Sequence, residues 1–265
     1  MKKHMSTIAI LFAVIFLLAA CGSQQSGNQS KGDNAGSNYE LIRPGTLTLV
    51  STGGYKPFNY MENGEMVGYD IAVGKEIAKI LGLELKLEKA EFQGHIIGIQ
   101  EGRYDIAIAS HTITQERKKQ VNFSQPYYYS GPMIFSRPDT GIKSAEDLKG
   151  KKVAFDRSTV YREYAKMYTD KFDFYDDDLR ALQAVADGHG DAGITDEIMG
   201  KTSIENGLKL IAGDRLDTTE QAIVIKKGND KLLEAINDAL AQLKSSGKLK
   251  ELSLEWLGID ITQPE

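Results

Sequence analysis

The chain has 265 residues, with 41% hydrophobic and 26% charged side chains and a formal net charge of −5 at neutral pH. That is ordinary for a globular body and enough for one large domain or two compact ones. Lys and Arg are interleaved with Asp and Glu, which argues against nucleic acid as a partner, and a lone cysteine, Cys21, excludes a disulfide framework or a Cys-based metal site.

In chain order, Lys2, Lys3 and His4 precede an apolar run from Ile8 to Leu18, followed by Ala19, Ala20 and Cys21. A basic start, a short apolar stretch and small residues at the cut describe a secretory signal over residues 1–20. The run is too short to span a membrane comfortably. The Leu18-Ala19-Ala20-Cys21 ending resembles the bacterial lipobox, which implies that Cys21 receives a diacylglycerol and becomes the N-terminus. From Gly22 to Asn38 the chain is almost entirely Gly, Ser, Asn and Gln. It lacks apolar residues to bury, so 21–38 reads as a lipidated Cys and a flexible linker spanning roughly 20–25 Å.

Folding is expected to begin near Tyr39. A strand over Thr46–Val50, a helix over Ile71–Leu81 stopped by Gly82, and a strand over Glu84–Glu88 come first. A helix over Ile96–Glu101, a strand over Ile106–Ala109, and a polar helix over Gln115–Gln120 follow. After Tyr127-Tyr128-Tyr129, the segment Met133–Ser136 is an apolar strand. Ser144 is a helix-cap candidate. A second series then runs through strand Lys152–Phe155, helix Val160–Met167, strand Asp173–Tyr175, helix Leu179–Ala186 and strand Ala192–Thr195. Helix Glu197–Glu205 and strand Leu208–Ile211 complete it. A strand over Gln221–Ile225, a helix over Lys231–Lys244 capped by Asp230, a break at Gly247 and a last helix to Trp256 close the chain.

The two series share a layout. Ile97 to Asp105 leads into Ile106-Ala107-Ile108-Ala109-Ser110, and Leu182 to Asp191 leads into Ala192-Gly193-Ile194-Thr195-Asp196. Each is a helix stopped by Gly, a turn, an Asp and a buried strand ending in a polar residue. Alternating strands and helices imply parallel sheets, and ligands of such sheets bind outside the carboxyl ends of the strands. The fold expected is α/β, with two lobes, each a mainly parallel sheet flanked by helices, joined by two hinge strands near Met133–Ser136 and Gln221–Ile225. Residues 39–132 plus 223–265 form lobe 1, and 133–222 form lobe 2. The alternative is one continuous sheet with both strands at its centre.

Several segments together resemble the polar amino-acid binding proteins of ABC importers, a periplasmic-binding-protein-like fold of type II. They are Asp105 to Lys119, Val121 to Tyr128, Tyr55-Lys56-Pro57-Phe58, Gly68-Tyr69-Asp70-Ile71, Ala145 to Val153, Gly190 to Asp196 and Trp256-Leu257-Gly258. The resemblance covers Arg43 to Ile261 and implies a binding protein, not an enzyme, with no cofactor. It implies that Arg117 takes the ligand α-carboxylate, with Ser110, His111 and Thr112 beside it. A planar, permanently charged fork suits that task. From residue type alone, Arg117 within Gln115-Glu116-Arg117-Lys118-Lys119-Gln120 reads first as a solvated helix charge. Asp196 is implied to take the α-ammonium, and it also reads as a helix N-cap. Tyr55 and Phe92 fall where the family has aromatic walls, and Thr159 and Val160 where it has an anion-binding turn. Here Ser158 replaces a usual Gly and Val160 a usual hydroxyl. Thr52 stands where relatives taking cationic amino acids often carry Asp, which favours a neutral or sulfur-containing ligand. Tyr175-Asp176-Asp177-Asp178 and Thr159-Val160-Tyr161 lean toward the cystine-type branch.

The implied partners are a free amino acid, an ABC permease with its ATPase, and the outer face of the bacterial cell membrane through the lipid anchor. The chain is expected to be a monomer. Gly188-His189-Gly190-Asp191-Ala192-Gly193 matches a dinucleotide fingerprint in letters but follows a helix and precedes a strand, the reverse of the required order. The histidines lack metal-ligand spacing. The other readings are a dehydratase-like enzyme, with His111, Asp156 and Glu220 as acid–base candidates, and an amino-acid-sensing module.

Overall fold

The structure is a computed structural model describing residues 39–264. The signal segment 1–20, Cys21 and the linker to residue 38 lie outside the described residues.

Strand β1 (Thr46–Ser51) is buried along almost its whole length, as a parallel strand covered on both faces must be. A small antiparallel meander follows, β2 (Gly54–Tyr55), β3 (Asn59–Glu62) and β4 (Glu65–Val67). Asn63 and Gly64 turn it with φ of 51° and 86°, the left-handed pair that a two-residue hairpin requires. Helix α1 (Tyr69–Leu81) ends on Gly82 at φ 66°, and β5 (Glu84–Lys89) returns beside β1. Helix α2 (His95–Gln100), β6 (Ile106–Ala107), α3 (Gln115–Gln120) and β7 (Asn122–Phe123) come next. Then β8 (Tyr128–Ser130) leads into β9 (Pro132–Ser136).

The second series is β10 (Val153–Asp156), α4 (Arg162–Ala165), β11 (Phe172–Tyr175), α5 (Asp178–Ala186), β12 (Ala192–Asp196), α6 (Glu197–Glu205) and β13 (Ile211–Arg215). It ends with β14 (Thr219–Gln221), after which β15 (Val224–Ile225), α7 (Asp230–Ser245) and α8 (Lys248–Leu257) complete the chain.

Two five-stranded sheets result, ordered β5-β1-β6-β15-β7 and β11-β10-β12-β9-β13. In each, three parallel strands are joined by an antiparallel one, β15 against β6 and β9 against β12. The continuous-sheet alternative therefore falls. Between the sheets, β8 and β14 pair antiparallel, Ser130 opposite Thr219 and Tyr128 opposite Gln221. These are the hinge strands, and they lie earlier than expected. Met133–Ser136 belongs wholly to the second sheet. The run Gln221–Ile225 is divided because Ala222 donates to the His111 carbonyl and Ile223 to the Ser124 hydroxyl, at 3.0 Å each.

The repeated Asp has the same task in both lobes. Asp105 accepts the backbone N–H of Thr48 at 2.7 Å and of Ile42 at 2.9 Å, and Asp191 accepts that of Lys152 at 2.8 Å. Each carboxylate ties the start of the central parallel strand to the strand beside it. Leu47, Leu49, Ile71, Ile77, Ile236 and Leu240 form the first lobe's main core under α1, α7 and α8. Val153, Phe155 and Ile194 pack one face of the second sheet, and Phe135, Leu182 and Val185 the other.

Four local expectations give way. Ser144 caps no helix; its N–H and hydroxyl bond Asp147 instead. Asp230 lies inside the first turn of α7, with Asn229 at the cap position. The helix expected over Val160–Met167 shortens to four residues, because residues 157–161 are spent on a turn around Asp156. The strand expected at Leu208–Ile211 begins at Ile211, where pairing to Ser136 starts.

The unequal anchoring sets a stability order. Asp105 is 5% exposed and carries two backbone bonds, whereas Asp191 is half-buried with one. Asp105→Ala should cost about 2–4 kcal/mol and Asp191→Ala about 1 kcal/mol, read as shifts in urea midpoint; equal losses would contradict equivalent but unequally buried anchors.

Candidate functional site

A cavity of about 300 Å³ opens between the two sheets. Its wall is built from the loops that follow the carboxyl ends of parallel strands, as the sheet topology demands. Thr52, Gly54 and Tyr55 follow β1; Lys89, Glu91, Phe92 and Gln93 close and follow β5; Ala109, Ser110, Thr112 and Arg117 follow β6. Asp156 to Tyr161 close and follow β10, and Asp176 to Leu179 follow β11.

Arg117 is the centre of the arrangement. Thr114 caps α3 by accepting the Arg117 N–H, which starts the helix and sets the direction of the side chain. The guanidinium donates to the Thr112 carbonyl at 3.1 Å and, across the cleft, to the Ser158 carbonyl at 3.2 Å. Its carbon lies 5.4 Å from the centre of the Phe92 ring. Burial pulls the group below its usual value, with Tyr161, Asp156 and Glu116 opposing. An arginine remains charged throughout. Among the described residues two of its five N–H groups are occupied, which leaves three to bind an anion.

Behind Phe92 is a histidine pair. The His111 ring stacks on Phe92 at 4.3 Å and 22°, and His111 Nε2 lies 3.2 Å from His95 Nδ1. His95 Nε2 is 3.0 Å from the Ala90 carbonyl, which can only accept. Burial lowers His95 to about 4 and holds His111 well below the usual histidine value, with His95 and Arg117 adding to the effect. Both are therefore neutral at pH 7, and the tautomers follow: His95 carries its proton on Nε2, so His111 must donate from Nε2. The chain of bonds ties the loop after β5 to the loop after β6. His111 is fully buried and does not line the cavity; it supports Phe92 from behind.

Ser110 sits at φ 57°, a strained conformation for a non-glycine residue. Its N–H donates to Tyr127 Oη at 3.3 Å and its hydroxyl to Asp70 at 3.2 Å. Asp70 also accepts from Tyr127 at 2.6 Å and Asn59 at 2.7 Å, and burial still pushes it up to about 6. Asn59 in turn accepts from the Thr52 hydroxyl at 2.5 Å and the Gly53 N–H at 3.2 Å. The Thr52 position thus presents an uncharged, already bonded hydroxyl.

On the second lobe, Asp156 accepts the Ser158 N–H at 2.7 Å and hydroxyl at 2.6 Å, and burial raises it above the usual carboxylate range. The Thr159 hydroxyl donates to the Asp156 carbonyl at 2.8 Å and its N–H to the same oxygen at 3.2 Å. Of the donors in that turn, the Val160 N–H has no acceptor among the described residues. Asp196 is 3% exposed and lies behind the wall, where one carboxylate oxygen caps α6 through Ile198 and Met199. Burial pushes it up to about 6. Its expected capping role is present, and Tyr55, Tyr128 and Tyr161 lie close enough to feel its charge.

Tyr55, Phe92, Ser110, Thr112, Arg117, Thr159, Val160 and Thr52 come together on one cavity; His111 and Asp196 stand directly behind it. Asp156 lines the cavity, whereas Glu220 is exposed on β14 and does not. Sequence reasoning passed over Lys89, and it noted Tyr161 and Asp178 only within longer segments, without a site role of their own. Their position at or just beyond the carboxyl ends of β5, β10 and β11 was the available signal.

Residues 47–259 match the bacterial extracellular solute-binding proteins, family 3. The L-cystine-binding protein TcyJ of Escherichia coli (strain K12) is 33% identical over 226 residues, 83% of this chain and 85% of that protein. The ABC transporter glutamine-binding protein GlnH of Bacillus subtilis (strain 168) is 33% identical over 276 residues, 98% of this chain and 99% of that protein. An ancestral arginine-binding protein solved with bound glutamine is similar at TM-score 0.76 and 35% identity, over 82% of this chain and 100% of that one.

The histidine pair makes a prediction of its own. His111→Leu leaves His95 Nδ1 buried without a donor and should destabilise the fold by about 1–3 kcal/mol. His111→Gln can place an N–H where Nε2 was and should lose clearly less in the same urea titration. Equal losses would contradict the tautomer assignment.

Proposed function

This chain belongs to the bacterial extracellular solute-binding proteins of family 3, and we propose that it captures a free amino acid between its lobes and delivers it to an ABC permease and its ATPase. The observation that supports this most is the buried Arg117, with three N–H groups unoccupied among the described residues, on a cavity walled by both lobes. A buried guanidinium without a counter-ion is costly, and an α-carboxylate matches its planar fork. The Val160 N–H and the Thr112 hydroxyl assist it, while Ser110 and Thr159 line the wall beside it with their hydroxyl protons given to Asp70 and the Asp156 carbonyl. Asp196 receives the α-ammonium once a ligand draws it into contact. Tyr55 and Phe92 cover the side chain, and Thr52 favours a neutral or sulfur-containing one. The names of two relatives, for cystine and for glutamine, support that preference, and the likeness to an arginine-binding protein weighs against it.

Lobe 1, residues 39–132 with 223–265, closes on lobe 2, residues 133–222, by bending the β8–β14 pair. The monomer is held on the outer face of the bacterial cell membrane through lipidated Cys21, after removal of residues 1–20. No helix among the described residues is long and apolar enough to cross a membrane. The relatives are binding proteins, and of the acid–base candidates His111 is hidden and Glu220 lies off the cavity.

Removing one partner of a buried charged contact costs about 2–5 kcal/mol, so Arg117→Ala should weaken amino-acid binding roughly 30- to 4,000-fold in calorimetry. Near-parental affinity in a folded variant would remove the carboxylate role. Cys21→Ser should release or misprocess the protein in cell fractionation; a variant that stays with membranes like its parent, with an unmodified N-terminus, would contradict the anchor.

A further inference from the structure

Asp178 is the first residue of α5 and lines the cavity, yet it is 6% exposed and its Oδ1 has no hydrogen-bond partner among the described residues. Burial, with Asp156 and Asp196 nearby, pushes its carboxyl well above the usual range, so its charge is poorly tolerated until a cation arrives. Its acidic neighbours at the mouth are already matched. Asp176 pairs with Arg157 at 3.1 Å, and Asp177 pairs with Arg180 at 3.1 Å while capping α5.

The opposite wall presents the complement. Lys89 lines the same cavity, and its ammonium has no ion pair among the described residues. Its stem runs past Gly53, where a Cβ would lie 3.3 Å from Cδ; the missing side chain leaves the lysine its path. Gly54 and Leu179 together line an adjoining cavity, so the loop after β1 and the start of α5 meet at this place. Arg117 and Asp196 suffice for one α-amino-acid head group. Lys89 and Asp178 then remain, one of each sign.

We infer that the ligand carries a second amino-acid head group, whose ammonium is held by Asp178 and whose carboxylate is held by Lys89. This rests on the amino-acid reading above and narrows it to a bis-amino acid with an uncharged bridge, of which L-cystine is the simplest sulfur-containing case. A lysine side chain would satisfy Asp178 but would bring its charge beside Lys89 with nothing to offset it. A ligand with one head group and an uncharged side chain leaves both residues unmatched.

The test is calorimetry on the full chain, without reductant, using L-cystine, S-methyl-L-cysteine and L-lysine with the parent, Asp178→Asn and Lys89→Met. L-cystine should bind at least about tenfold more tightly than either other ligand, a difference near 1.4 kcal/mol. Each substitution should lower cystine affinity at least about fivefold more than it lowers S-methyl-L-cysteine affinity, which also reports that the variant is folded. Equal affinity for cystine and S-methyl-L-cysteine, lysine binding as tightly as cystine, or equal losses for both ligands in both variants would each overturn the second subsite. If S-methyl-L-cysteine binds and cystine gains nothing, the inference alone falls. If no free amino acid binds, the amino-acid reading falls with it.

Discussion

A guanidinium that is mostly buried, and hydrogen-bonded among the described residues to two neutral carbonyls alone, is the constraint around which this molecule is organised. Carbonyls solvate the group without neutralising it, so the site is incomplete until an anion arrives. Holding that charge in place takes an unusual amount of structure. Thr114 starts the helix that carries it, Phe92 lies against it, and a neutral histidine pair braces Phe92 from behind. The bond to Ser158 adds the other lobe, so the anion site spans the cleft.

The doubled architecture explains why such a site can exist. Each lobe is a parallel trio of strands, started by an Asp that captures backbone N–H groups and ended by loops free of pairing obligations. Facing two sets of loop ends across a two-stranded connection gives a cavity with Arg117 and Lys89 on one wall and Asp156 and Asp178 on the other. Among the buried carboxylates, Asp70, Asp178 and Asp196 are each pushed up by burial, Asp70 and Asp196 to about 6. Asp70 is internally satisfied and stiffens Ser110. Asp178 and Asp196 are less so, and that difference separates scaffold from recognition.

Much of this was legible in the chain. The strands of both parallel trios, helix Glu197–Glu205, helix Gln115–Gln120 and the stops at Gly82 and Gly247 follow from period and caps. The Asn63-Gly64 turn was a plain hairpin signal, but the strands it joins are too short and exposed to show a period. The hinge strands were misplaced because Gln221 to Ile225 is one apolar run, and only tertiary bonds to His111 and Ser124 divide it. His111 follows a site serine in sequence, yet faces the core, which no local pattern reveals. Asp178 looks like one more helix-start carboxylate; its burial and its orphaned oxygen exist only in the folded chain.

The most direct test is a crystal structure of the protein with a bound amino acid. The ligand α-carboxylate should lie on the Arg117 guanidinium in a paired contact of about 2.7–2.9 Å, within the cavity between the two sheets, with Asp196 the carboxylate nearest its α-ammonium. An α-carboxylate held away from Arg117, or a ligand seated outside the cleft, would contradict the account.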